Sequence, residues 1–167
     1  MTPRSKSRGT VLPIVLLLSS MMLVTASAWL ESSIVATRSA ASLRDRVQAF
    51  HAADSALARC SRMVVDSSDP PQNAFAGEPT GWRAKASFEG AGASAIAPFV
   101  AWPYARRVPQ CLIEPWSRSG DASARSYLLT ARGFGASGDA ESWLQLEIEI
   151  AGSSVKRRWR RVVAKPF

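Results

Sequence analysis

From Gly9 to Leu30 the chain runs for 22 residues without a charge, and Val11, Leu12, Ile14, Val15, Leu16, Leu17 and Leu18 make its first half almost wholly apolar. At 1.5 Å rise per residue a helix over this run covers about 33 Å, enough to cross the hydrocarbon of a membrane. Beyond it the apolar positions become periodic. Ala36, Ala40, Leu43, Val47, Phe50, Leu57, Cys60 and Val64 recur at spacings of three, four or seven, while Arg44, Asp45, Arg46, His51, Asp54, Arg59 and Arg62 fill much of the remaining circumference. No Gly or Pro falls between Pro13 and Asp69. The pattern predicts one helix from about Thr10 to about Val65, apolar all round over residues 10–30 and amphipathic over 31–65, ended by Pro70-Pro71.

Residues 66–167 change to a period of two. Ser67 to Gly81 and Gly90 to Ala97 are loops by composition. Trp82, Ala84, Ala86 and Phe88 alternate with Arg83, Lys85 and Ser87, and further strands are predicted at Gln110 to Trp116, Ser126 to Arg132 and Trp143 to Ile150. In the last, Leu144, Leu146, Ile148 and Ile150 share one face, and Trp143, Gln145, Glu147 and Glu149 the other, as in a half-buried antiparallel strand. Gly152-Ser153 then turns the chain into Val155 to Val163. Pairing about that turn sets Glu149 opposite Lys156, Glu147 opposite Arg158 and Gln145 opposite Arg160. The fold class expected is α+β, a long N-terminal helix on a small antiparallel sheet.

The chain has 167 residues and 18.0 kDa, which excludes a large multidomain enzyme. Its net charge is +8, and the cations gather at the ends: Arg4, Lys6 and Arg8 precede the apolar run, and Lys156, Arg157, Arg158, Arg160, Arg161 and Lys165 crowd the last twelve residues. Cations before the apolar run keep the N-terminus cytoplasmic and send everything after Glu31 outward by the positive-inside rule. A cleavable secretory signal is the alternative, with Ala26-Ser27-Ala28 as its small-x-small site.

The order of basic leader, Gly9, uncharged helix, amphipathic helix and small sheet resembles a type IV prepilin. The stretch Leu43-Arg44-Asp45-Arg46-Val47-Gln48-Ala49-Phe50-His51-Ala52-Ala53-Asp54-Ser55-Ala56-Leu57 resembles more narrowly the helix signature of the PilX family of minor pilins. Tyr127-Leu128-Leu129-Thr130-Ala131-Arg132-Gly133, Ala140-Glu141-Ser142-Trp143-Leu144-Gln145 and Cys111-Leu112-Ile113-Glu114 are similar to that family's strands, and residues 66–105 have no counterpart. The resemblance implies that residues 1–9 are a leader cut after Gly9 by a prepilin peptidase. It also implies that Thr10 is the N-methylated first residue of the mature protein, inserted in the inner membrane with residues 66–167 in the periplasm. Its implied partners are the other minor pilins and the major pilin, and its implied role is to prime pilus assembly near the filament tip. The fifth position after cleavage, Glu in major pilins, is Ile14, and the fourth is Pro13. That Glu neutralises a neighbour's N-terminal amine inside an apolar bundle, so Ile14 suits a minor subunit better than a repeating one.

Cys60 and Cys111 both fall in the exported part, where an even pair favours a disulfide; two buried thiols are the alternative. Gly133-Phe134-Gly135-Ala136-Ser137-Gly138 spells a dinucleotide-binding motif, but the chain after it has period two and no helical pattern, so a hairpin loop is expected. With His51 the only His, neither a catalytic triad, a metal site nor a cofactor is expected, and the chain is read as a non-enzyme. The rival signal is Lys156, Arg157, Arg158, Trp159, Arg160 and Arg161, cations interleaved with an indole that can hold phosphates and stack on bases. Set against a nucleic-acid contact is a sheet edge blunted by cations. A type II secretion pseudopilin and a membrane-anchored adhesin or DNA-binding module remain as alternative readings.

Overall fold

The structure, a computed structural model, describes residues 9, 11–67, 77–116, 124–162 and 164–167. Residues 1–8 of the basic leader, Thr10, Pro70-Pro71 and Val163 lie outside the described residues. One helix, α1, runs Val11–Asp66, and four strands come after it: β1 Gln110–Trp116, β2 Arg125–Phe134, β3 Glu141–Ala151 and β4 Ser154–Arg160. The layout is α+β. The chain divides into two compact units, Met1–Ser42 and Leu43–Phe167.

In the first unit α1 buries none of its residues, and its apolar run is long and apolar enough to cross a membrane. In the second unit the strands form one antiparallel sheet in the order β1-β2-β3-β4. Gly152, with φ at 57°, makes the β3–β4 turn in the left-handed region that glycine tolerates. The expected register holds: Glu149 faces Lys156, Glu147 faces Arg158 and Gln145 faces Arg160.

The helix contacts the sheet differently from the sequence expectation. Its buried residues are Ala49, Ala52, Ala53, Ala56, Leu57, Cys60, Ser61 and Val64, whereas Leu43, Val47 and Phe50 stand 63%, 53% and 46% exposed. The reason is the distance of approach. A Cβ on Gly133 of β2 would collide with the Ala49 carbonyl oxygen and the Ala53 amide nitrogen, so helix and strand backbones touch there and only small side chains fit between them. Toward the helix C-terminus the gap takes Leu57, Cys60 and Val64, which pack with Cys111, Tyr127, Leu129, Leu146, Ile148 and Ile150 into the core.

The half-buried pattern expected of β3 holds over Leu146 to Ile150, where Leu146, Ile148 and Ile150 are buried and Glu147 and Glu149 are not, but β2 is buried on both faces, so the opposite face of the sheet is covered there. Leu128 and Thr130 are fully buried, and Gln145 donates from Nε2 to Thr130 Oγ1 at 3.0 Å inside this second layer. The segment predicted as a strand from Trp82 to Phe88 supplies part of the cover, as two 3-10 turns over Gly81–Arg83 and Lys85–Ser87. Its amides bond locally, Arg83 N–H to Thr80 O and Phe88 N–H to Lys85 O, both at 3.0 Å. The Glu114 carboxylate takes the Gly81 and Trp82 amides, so these donors are spent outside any strand ladder. Phe88 then meets Trp143 edge-on at 5.0 Å between ring centres.

Candidate functional site

Three features of the described residues have the chemistry of a site: the covalent and polar ties between α1 and the sheet, a buried arginine centre, and the cationic edge strand with an apolar recess elsewhere in the second unit.

Cys60 and Cys111 are bonded to each other, with their Cα atoms 6.7 Å apart, and so tie α1 to β1 across the core. A second tie lies at the loop after β2. Asp45 accepts the Ala136 and Ser137 amides and the Ser137 hydroxyl. These hydrogen bonds, the Ser137 hydroxyl foremost, hold its carboxyl below the usual range against the opposing effect of burial. Gly135 leaves the space, since a Cβ there would collide with Asp45 Oδ1. Gly133 and Gly135 of the dinucleotide-like motif thus serve helix packing and the latch of a β2–β3 hairpin loop. Asp45, Ala49 and Ala53 of the helix signature are the residues they meet.

The arginine centre was not visible in the sequence. Arg132 is 3% exposed, with Nη1 on Glu89 Oε1 and Nη2 on Glu141 Oε1, both at 2.8 Å. Its guanidinium lies 4.7 Å from the Phe134 ring centre, 5.2 Å from Trp143 and 5.0 Å from Phe167. The Arg132 bond, helped by Arg107 and Lys85, brings the Glu89 carboxyl down to about 2 despite its partial desolvation. Burial pushes the Glu141 carboxyl up, yet Arg132 and Lys165 outweigh it and leave it below its ordinary value. Glu114 goes the other way: burial raises it, and its two backbone bonds only partly offset that. The signal that could have found Arg132 is a charged residue directly after the uncharged run Tyr127, Leu128, Leu129, Thr130 and Ala131 within one strand. With both Nη atoms on carboxylates and its guanidinium among three rings, though its buried Nε has no hydrogen-bond partner, Arg132 cements the second layer.

The basic strand is β4, at the edge of the sheet. Lys156 pairs with Glu149 at 3.9 Å, and Arg160 reaches Glu78 at 2.6 Å and Glu147 at 3.5 Å. Among the described residues Arg157, Arg158 and Arg161 carry no ion pair, and Trp159 is 60% exposed. An apolar recess of about 450 Å³ opens between Val47 and His51 of α1 and Trp102, Pro103 and Tyr104. Gln48 holds that loop by donating to the Pro103 carbonyl at 3.1 Å. Tyr104, 84% exposed, adopts a φ of 58°, and Val100, four residues earlier, is fully exposed. His51, the lone histidine, lies against Phe50 with ring centres 5.9 Å apart. Among the described residues no three His, Cys, Asp or Glu converge in a way that could hold a metal ion. Gly9 is exposed with φ at 125°, and Thr10 lies outside the described residues.

No protein-family model, curated protein or solved structure matches the chain.

Proposed function

We propose that the chain is a minor pilin of a type IV pilus, anchored in the inner membrane by the first part of α1, which primes assembly with other minor pilins near the filament tip. The observation that carries this reading is the pair of unmet apolar surfaces on one helix. Residues 11–30 are apolar and exposed, and in the second unit Leu43, Val47 and Phe50 are exposed beside an apolar recess. A large apolar surface that its own chain leaves open asks for lipid or another subunit. A filament whose core is a bundle of such helices provides both in succession, lipid before assembly and neighbouring helices after it. Ile14, 53% exposed, supports a minor rather than a repeating place, because it cannot neutralise the terminal amine of a neighbour.

A type II secretion pseudopilin uses the same helix and sheet, and the genes beside this one separate the two. The ion pairs of Lys156 and Arg160 disfavour the nucleic-acid module, since they occupy two of its expected phosphate contacts. Deletion of the gene tests the role. Surface pili should become fewer with unchanged stability, and in the parent strain the protein should be scarce in sheared filaments relative to the major pilin. Normal piliation in the deletion strain, or stoichiometric incorporation along the fibre, would overturn it.

A further inference from the structure

The outer edge of the sheet carries an inference independent of the pilus reading. β4 pairs with β3 on one side only, and no backbone hydrogen bond among the described residues reaches it from outside the sheet. An uncovered edge is a row of amide donors and acceptors ready to take another strand. Its side chains decide which one. The register with β3 puts Arg157 opposite Ile148 and Trp159 opposite Leu146 on the helix-facing side, and Lys156 and Arg158 opposite Glu149 and Glu147 on the other. Both faces of the edge are therefore cationic. A second copy of β4 would set cation against cation, which disfavours self-pairing.

What β4 accepts is already written on its inner side, where carboxylates at alternate positions of β3 meet its cations. We infer that the free edge of β4 is a docking site for an extended acidic segment of another protein chain, about seven residues long, added as a fifth antiparallel or parallel strand. Arg157, Arg158 and Arg161 would meet its carboxylates, and Trp159 would cover an apolar side chain between them. Nucleic acid is the poorer occupant. Backbone pairing along the edge gives a peptide something a nucleic acid cannot use.

The test uses the full chain in detergent micelles and a fluorescent seven-residue peptide, Glu-Glu-Val-Glu-Glu-Glu-Val, which in an antiparallel register sets carboxylates on both faces of the added strand and a Val opposite Trp159. The peptide should bind, and R157A/R158A, at two exposed positions without ion pairs, should weaken it roughly tenfold. A peptide of identical charge but N-methylated at alternate residues, on the side that pairs, should lose binding to the unaltered protein. Equal binding of the methylated and unmethylated peptides would reduce the site to plain charge attraction and overturn strand addition. Absence of peptide binding would overturn it as well, as would tighter binding of a DNA oligonucleotide than of the peptide.

Discussion

Gly133 shows how one position sets the helix–sheet distance. Because the groups a Cβ would strike are backbone atoms of Ala49 and Ala53, neither can rotate away. Gly133→Val is expected to cost about 3 kcal/mol or more in denaturant unfolding of the solubilised chain, where an exposed glycine substitution costs a fraction of that. A cost within about 0.5 kcal/mol, the range of an ordinary surface change, would mean that the two backbones do not touch. Arg132 makes the second prediction at this scale. Glu89 is held at about 2 in the folded chain against an ordinary 4.5, and Glu141 is also depressed. For a carboxyl lowered by folding, the stabilisation is present above its unfolded value and disappears as pH falls through its folded one. Stability should therefore decline from about pH 4.5 toward about pH 2. The raised Glu114 contributes in the opposite sense, since its protonation favours the folded state. An Arg132→Met chain should be less stable at neutral pH and should show a shallower acid decline, as measured by thermal unfolding over a pH series. An unchanged acid limb would mean that these two carboxylates do not depend on Arg132.

Among the elements, the register of β3 on β4 was legible because glutamates alternate before Gly152-Ser153 and a run of cations follows it, so one turn position pairs the two. β1, β2 and β3 were legible for the same reason, period two bounded by turn residues. The helix existed plainly in the sequence, and so did the later part of its buried face, Leu57, Cys60 and Val64, but the earlier part did not. Reading the large apolar residues as the core stripe selected Leu43, Val47 and Phe50, whereas close packing on Gly133 selects Ala49, Ala52, Ala53 and Ala56. Hydrophobic periodicity reports which side chains avoid water, not which partner covers them. Trp82 to Phe88 failed as a strand because its alternation marks no buried face: Phe88 is buried but Ala84 and Ala86 stand exposed, and its amides are satisfied by 3-10 bonds and Glu114. Arg132 escaped notice because its partners Glu89 and Glu141 come from a loop and from another strand. The link between α1 and β1 makes the prediction at this scale. Cys60 and Cys111 are 51 residues apart, and closing such a loop restricts the unfolded chain by about 4 kcal/mol on the chain-entropy view. Cys60→Ala should lower unfolding free energy by a few kcal/mol, and the denatured, unreduced protein should offer no alkylatable thiol. Two reactive cysteines in freshly isolated material would show that the pair is reduced.

At the scale of the whole molecule, the minor-pilin reading asks α1 to serve in two environments, as an anchor in lipid and then as a strut among other helices. That sequence of events needs a leader to be removed at the cytoplasmic face without loss of the apolar run behind it. A secretory signal would instead discard the run and leave the second unit unattached. Mass spectrometry of the protein extracted from membranes decides between them in one spectrum. The minor-pilin reading predicts a mature chain that begins at Thr10, heavier by one N-terminal methyl group. A chain that begins at Trp29, after Ala26-Ser27-Ala28, or one that still carries Met1 through Gly9, would contradict it.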